Sequence, residues 1–129
     1  MSFNLRYDTI DDKENSWDFR KDSVAALIMQ YRPDILGIQE GLSHMISFLK
    51  EKLPLYKYWG KGRQFFNGEQ CGLFFRRDMF LKIDGGHFWL SSTPEKQGST
   101  SFGNETPRMC SYLKLKYKRP EFLKKYLKN

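Results

Sequence analysis

Two cysteines and two histidines are all that 129 residues offer of the side chains that most often carry metals or nucleophilic catalysis. Cys71 and Cys110 stand far apart, in no zinc-like pair, and two thiols do not make a disulfide framework. Free, buried thiols in a reducing compartment are the expectation. Ser, His and Asp do not gather at any spacing that suggests a hydrolase triad. No glycine loop opens a helix in the manner of a phosphate cradle. Long apolar runs are missing, and the chain opens on a mixed polar and apolar stretch without the pattern of a signal peptide. A soluble, intracellular protein is expected, without a transmembrane segment. Internal repeats and low-complexity segments are absent too.

What is present suits a folded domain. Hydrophobic residues make up 40% of the chain and aromatics 16%, which favours strands around a packed core. The length allows one domain. The formal charge of +7 raises the odds of an anionic partner such as nucleic acid or a phosphorylated molecule. Part of that surplus belongs to the end of the chain. Between Tyr112 and Asn129, Lys114, Lys116, Lys118, Arg119, Lys124, Lys125 and Lys128 face a single acid, Glu121. A half domain over residues 1–118 and a basic tail over 119–129 is the expected division.

Residues 2–7 alternate and predict a strand. A polar loop follows, with Asn15 placed to cap a helix and Asp18 in its first turn. Val24, Leu27, Ile28 and Tyr31 recur at helical spacing, and Pro33 closes the helix. DILGIQ, residues 34–39, reads as a strand buried on both faces. Leu42, Met45, Ile46, Leu49 and Leu53 mark a second helix, stopped by Pro54. YKYWG, CGLFFRR, FLKIDGGHFWL and RMCSYLKLKY then read as strands. The polar loop from Ser91 to Thr106 is long enough to be functional or mobile. Strand, helix, strand, helix and a run of strands make an α/β class with a mixed sheet and two main helices.

Asn4 and Glu40 each follow apolar strand residues, and Glu40 closes its strand just before Gly41. Carboxyl ends of strands collect sites in α/β sheets. An amide and a carboxylate there offer the hard oxygen donors that Mg²⁺ prefers, and equally a capping, solvated glutamate. Arg108, after Pro107, suits a phosphate or a plain surface position, and Arg63 is similar but less well placed. His44 lies opposite the apolar stripe of the second helix and His87 near a turn, so both read as structural or surface residues. Trp17 and Arg20 read as packing residues.

Six motifs in register carry a resemblance: FNLRYD at 3–8, NSWDFR at 15–20, PDILGIQE at 33–40, GEQCGLFFRRDMF at 68–80, FWLSSTPEKQGSTSFG at 88–103 and TPRMCSYLKL at 106–115. Together they resemble the N-terminal half of the endonuclease/exonuclease/phosphatase family, a metal-dependent, DNase I-like group acting on phosphoesters. The resemblance implies half of a helix-flanked β-sandwich. It places the family's first-strand Asn on Asn4, its metal-binding Glu on Glu40 and the Arg of its Pro-Arg pair on Arg108. Its Gly-Glu segment falls on Gly68 and Glu69. Mg²⁺ or Mn²⁺ is the implied cofactor, and in-line attack of water on a phosphoester the implied chemistry.

The departures are as telling. The family's Thr-His-Leu-Asp, Asp-x-Asn and Ser-Asp-His segments do not occur in this sequence, and Gly103 stands where many relatives carry Asp. A hydrolase fragment inactive alone is therefore expected, with one apolar sheet face left for a complementing chain. A non-catalytic phosphate- or nucleic-acid-binding module that kept the scaffold is the alternative, and a remnant without function a third.

Overall fold

The structure, a computed structural model, describes residues 1–65 and 68–118, so the basic tail expected from 119 lies outside the described residues. The elements in chain order are β1 (Ser2–Asn4), α1 (Trp17–Tyr31), β2 (Ile35–Gly41), α2 (Ser43–Lys52), β3 (Tyr56–Gly62), β4 (Gln70–Arg76), β5 (Phe80–Trp89) and β6 (Met109–Tyr117). The expected polar loop before α1 contains a 3-10 helix, Ile10–Asn15, whose first turn is closed by the Thr9 hydroxyl accepting from the Asp11 amide.

Four strands form one sheet in the order β1-β2-β4-β3, and β5 pairs with β6 in a second. β1 runs parallel to β2, while β2–β4 and β3–β4 are antiparallel, so the sheet is mixed as expected. Period-two alternation sends Leu36, Ile38 and Phe74 to one face of the large sheet, where they are buried against both helices. The helices supply Trp17, Val24, Ala25 and Ile28 from α1 and Met45, Ile46 and Leu49 from α2. Tyr58 lies over Gly60 and Gly72 on that same face, and any Cβ at either glycine would collide with its ring.

Helix α1 departs from its expected face. Val24 and Ile28 are buried as expected, but Leu27 and Tyr31 are exposed, at 38% and 65%, because the packed stripe continues through Ala25 and Trp17. Ala25 at the centre of that stripe is 2% exposed. The cap differs as well. Ser16, not Asn15, is the residue before the helix, and its side chain makes no capping bond. The free Trp17 amide is met by Asp8 Oδ1 at 3.3 Å, reaching across the loop. Asp18 occupies the first turn as read. In α2 Met45, Ile46 and Leu49 are buried as expected, with Leu53 just past the end at 2% exposure, while Leu42, the residue before the helix, is only partly buried.

The opposite face of the large sheet is covered only in part, by the second sheet. β6 packs over β4 and β3. Trp59 of β3 stacks on His87 of β5 with ring centroids 5.1 Å apart and planes 11° from parallel. Ser111 Oγ donates to the Cys71 carbonyl across the same interface. At Gly85 a Cβ would lie 2.7 Å from Leu113 of the paired strand and 3.3 Å from Trp59 of the facing sheet, so glycine relieves crowding here.

That partial cover corrects the reading of β2. Ile35 is 38% exposed rather than buried, since the second sheet packs mainly over β4 and β3. Beside β6 a gap of about 220 Å³ opens, lined by Gly37, Gln39, Cys71, Leu73 and Cys110 among others. The two cysteines are free, and they are partly rather than fully buried for the same reason. Among the described residues no helix is long and apolar enough to cross a membrane.

Candidate metal and phosphate site

The parallel pairing of β1 with β2 sets Asn4 beside Gln39, so the ends of the two strands bring Asn4 and Glu40 together. The β2–β4 ladder is irregular between Ile38 and Gly41. Within this bulge Glu40 has φ 59°, a left-handed conformation that few side-chain-bearing residues adopt. A bulge re-aims a side chain, and backbone strain of this kind collects at functional sites.

Both carboxylate oxygens of Glu40 are held. Oε1 accepts from Asn4 Nδ2 at 2.9 Å and Oε2 from the Tyr7 backbone amide at 2.8 Å. The Asn4 bond is the larger cause and the Tyr7 amide the second, and together they hold this carboxyl below the usual glutamate range. Arg6 and Arg63 add favourable charge, while partial burial opposes the shift. Asn4 Oδ1 in turn accepts from the Arg6 amide at 2.8 Å. These two bonds fix the amide's orientation, since a flip would oppose oxygen to carboxylate and N–H to N–H.

The loop that delivers the Tyr7 amide is tied down along its length. Arg20 Nη1 donates to the Leu5 carbonyl at 3.1 Å, and Arg6 forks onto Asp12 through two bonds of 2.8 Å. His44 Nε2 meets Asp8 Oδ2 at 2.8 Å, joining the loop to the first turn of α2. His44 is thus a surface residue as expected, but one with a partner that its position opposite the apolar stripe gave no reason to suspect. Trp17 is 2% exposed, in keeping with a packing role.

Asn4 and Glu40 open onto a cleft of about 360 Å³ whose lining includes Arg63, Glu69, Cys71 and Arg108. The residues singled out for metal or phosphate, Asn4, Glu40, Arg108 and the less well placed Arg63, therefore all line one cavity. Arg63 and Glu69 sit at opposite ends of the β3–β4 turn and form a two-pronged pair, at 3.0 Å and 3.1 Å. The long polar loop is built into this wall. Trp89 Nε1 donates to the Arg63 carbonyl at 2.8 Å, and Gln97 Nε2 donates to the carbonyls of Gly62 and Gln64, each at 3.0 Å. Its own serines lock it internally, Ser91 to Ser99 at 2.6 Å and Ser92 to Ser101 at 2.9 Å.

Arg63 and Glu69 were each picked out in the sequence, but not as a pair. They are neighbours across a hairpin, and only the pairing of β3 with β4 makes them so. Among the described residues no group of three or more His, Cys, Asp or Glu side chains is placed to hold a metal ion. Mg²⁺ needs less from a protein than such a group, since it keeps several waters and takes one or two carboxylates. Glu40, ionised and aimed at the cleft, fits that demand as one carboxylate. Asn4 spends its amide on Glu40 and its oxygen on Arg6, which suits holding the carboxylate in place.

The sequence profile of the Endonuclease/Exonuclease/phosphatase family matches residues 1–111. The chain belongs to this family. A solved member from Bacteroides vulgatus shares 35% identity and superposes with a TM-score of 0.86, covering 90% of this chain and 45% of that one. A mannosyl-6-phosphatase of Bacteroides thetaiotaomicron shares 35% identity at a TM-score of 0.84, with 90% and 45% covered. A functionally unknown conserved protein of Enterococcus faecalis shares 28% at a TM-score of 0.86, over 92% of this chain and 47% of its own. The chain thus spans less than half the length of these family structures. None of the curated proteins matches the sequence. The fold is that of a phosphoesterase family, carried on two helices and a mixed sheet.

Proposed function

We propose that this chain supplies the Glu40 wall of a divalent-metal-dependent phosphoester hydrolase site. The observation that carries the reading is Glu40 itself: an ionised carboxylate in a left-handed bulge, clamped by Asn4 and the Tyr7 amide, on a cleft that Arg108 shares. Mg²⁺ or Mn²⁺, when bound, supplies positive charge against the negative charge that develops on a phosphoryl group. Glu40 would hold the ion, and Asn4 and Tyr7 N–H hold Glu40. Arg108, which lines the same cleft, would take a phosphate oxygen with its guanidinium fork.

The substrate class is a phosphoester, and the mannosyl-6-phosphatase relative makes a sugar phosphate the first to try. Isolated, the chain should turn over little. The Asp-x-Asn and Ser-Asp-His segments do not occur in it, and a single carboxylate holds Mg²⁺ loosely. A complementing segment, on this chain or another, would cover Ile35, Gly37 and the gap beside β6. Residues 1–118 would form the half domain in this view, and 119–129 a separate basic tail.

Titration of Mn²⁺ into the full chain, followed by water-proton relaxation, tests the metal site. Binding that disappears in Glu40→Gln supports it, and binding indifferent to that change removes it. Mg²⁺-dependent hydrolysis of a phosphoester by the isolated chain would overturn the expected inactivity. A second reading, a phosphate- or nucleic-acid-binding module without turnover, is favoured by the formal charge of +7. It requires nucleic-acid affinity that falls steeply with salt and does not depend on Glu40.

A further inference from the structure

The cleft holds two acids, Glu40 and Glu69, and two arginines, Arg63 and Arg108. The acids are not equivalent. Glu40 is bonded by neutral groups and makes no direct ion pair among the described residues, whereas Glu69 is taken up on both oxygens by Arg63. The Arg63 charge is also felt at Glu40. Arg63 thus pairs with one of the two cleft carboxylates and acts by its charge on the other.

We propose that Arg63 is an internal counter-cation of this cleft, which keeps Glu69 from serving as a second acidic ligand and thereby sets the affinity for a divalent ion. The inference rests on the functional reading above. Both partners are mostly buried, with side chains 22% and 21% exposed, so their charges are poorly screened. The pair is nevertheless unfinished. Arg63 Nε is buried and has no hydrogen-bond partner among the described residues. A pair kept only for stability is expected to satisfy its buried donors. The backbone of the turn does not depend on the guanidinium, because the Arg63 amide bonds the Glu69 carbonyl at 3.0 Å and Trp89 and Gln97 hold the surrounding carbonyls. Replacing the side chain should therefore change the charge of the cleft more than its shape.

Removing a positive charge within reach of a divalent ion, and freeing a carboxylate beside it, should tighten binding by about tenfold. The test is Mn²⁺ titration of the full chain by water-proton relaxation in Arg63→Met, Arg63→Gln, Arg63→Lys and Glu69→Gln, with circular dichroism to confirm folding. Met and Gln variants should bind more tightly, Lys should bind as the parent does, and Glu69→Gln should bind more weakly. The double change Arg63→Met with Glu69→Gln should lose the gain. If the folded Met and Gln variants bind no more tightly than the parent while binding still requires Glu40, the counter-cation is refuted and the metal site stands. If no variant binds, or Glu40→Gln changes nothing, both fall together. Arg63→Gln keeps a donor for Glu69, so it guards against loss of fold in the Met variant.

Discussion

The two faces of the large sheet tell different stories from the same alternating strands. On one, Leu36, Ile38 and Phe74 meet two helices and are at most 1% exposed. On the other, Phe75 is buried where the second sheet lies, yet Ile35 on the neighbouring strand is 38% exposed. The outer side of the second sheet is at least as bare, with Leu81 at 50% and Phe88 at 38%. A strand proposes two faces, but burial needs a partner for each. The candidate site lies where the covered and uncovered areas meet, at the bulged end of β2.

The sharpest way to break this contrast is to shorten equal side chains on each side of it. Phe74→Ala should cost about 3–5 kcal/mol, enough to unfold a marginal domain, because it opens a cavity against both helices. Phe88→Ala, on the exposed side, should cost only a fraction of that, within about 1 kcal/mol. Chemical denaturation of both variants checks the pair. Similar losses would mean that the outer face is packed after all, for instance against a second copy.

A smaller effect marks the border itself. Glu40 has left-handed backbone geometry, so Glu40→Gly should be more stable than Glu40→Ala by about 1 kcal/mol, since glycine alone escapes the penalty on a Cβ. Both lose the same carboxylate, so the difference isolates the backbone. Equal stabilities would show that the bulge relaxes when the carboxylate is gone.

The smallest effect concerns the covered part of the second face. Burial between the sheets, with Lys61 as a lesser cause, holds His87 below the ordinary histidine range. The unfolded chain then binds the proton more readily than the folded one. Stability is full above the unfolded value of about 6.5 and declines as pH falls through that value towards the folded one. His87→Gln should flatten this part of the pH–stability profile, measured by thermal melts between about pH 7 and 5. An unchanged slope would assign it to other groups.

Much of the fold was legible because local pattern and tertiary context agree. The α2 stripe from Met45 to Leu53 is buried as read, since its spacing matches the helix period and Pro54 ends it. α1 misled because Leu27 and Tyr31 are apolar enough to suggest a buried face, whereas Ala25, inconspicuous in sequence, sits at the contact. For the site, Asn4 and Glu40 were readable as strand-end residues, and their direct bond follows from parallel pairing. The Tyr7 amide, the Asp8–His44 link and the Arg63–Glu69 pair were not, because each joins segments whose closeness no periodicity encodes.

The residue order by itself determined the elements, the family and the two strand ends that carry an amide and an acid. These depend on spacing along one chain, where side-chain periodicity and backbone restriction act locally. Folding in three dimensions decided which faces are covered, how the β2 bulge turns Glu40 onto the cleft, and which charge answers which. Burial and Coulomb interaction depend on distance in space, and only the assembled sheets set those distances.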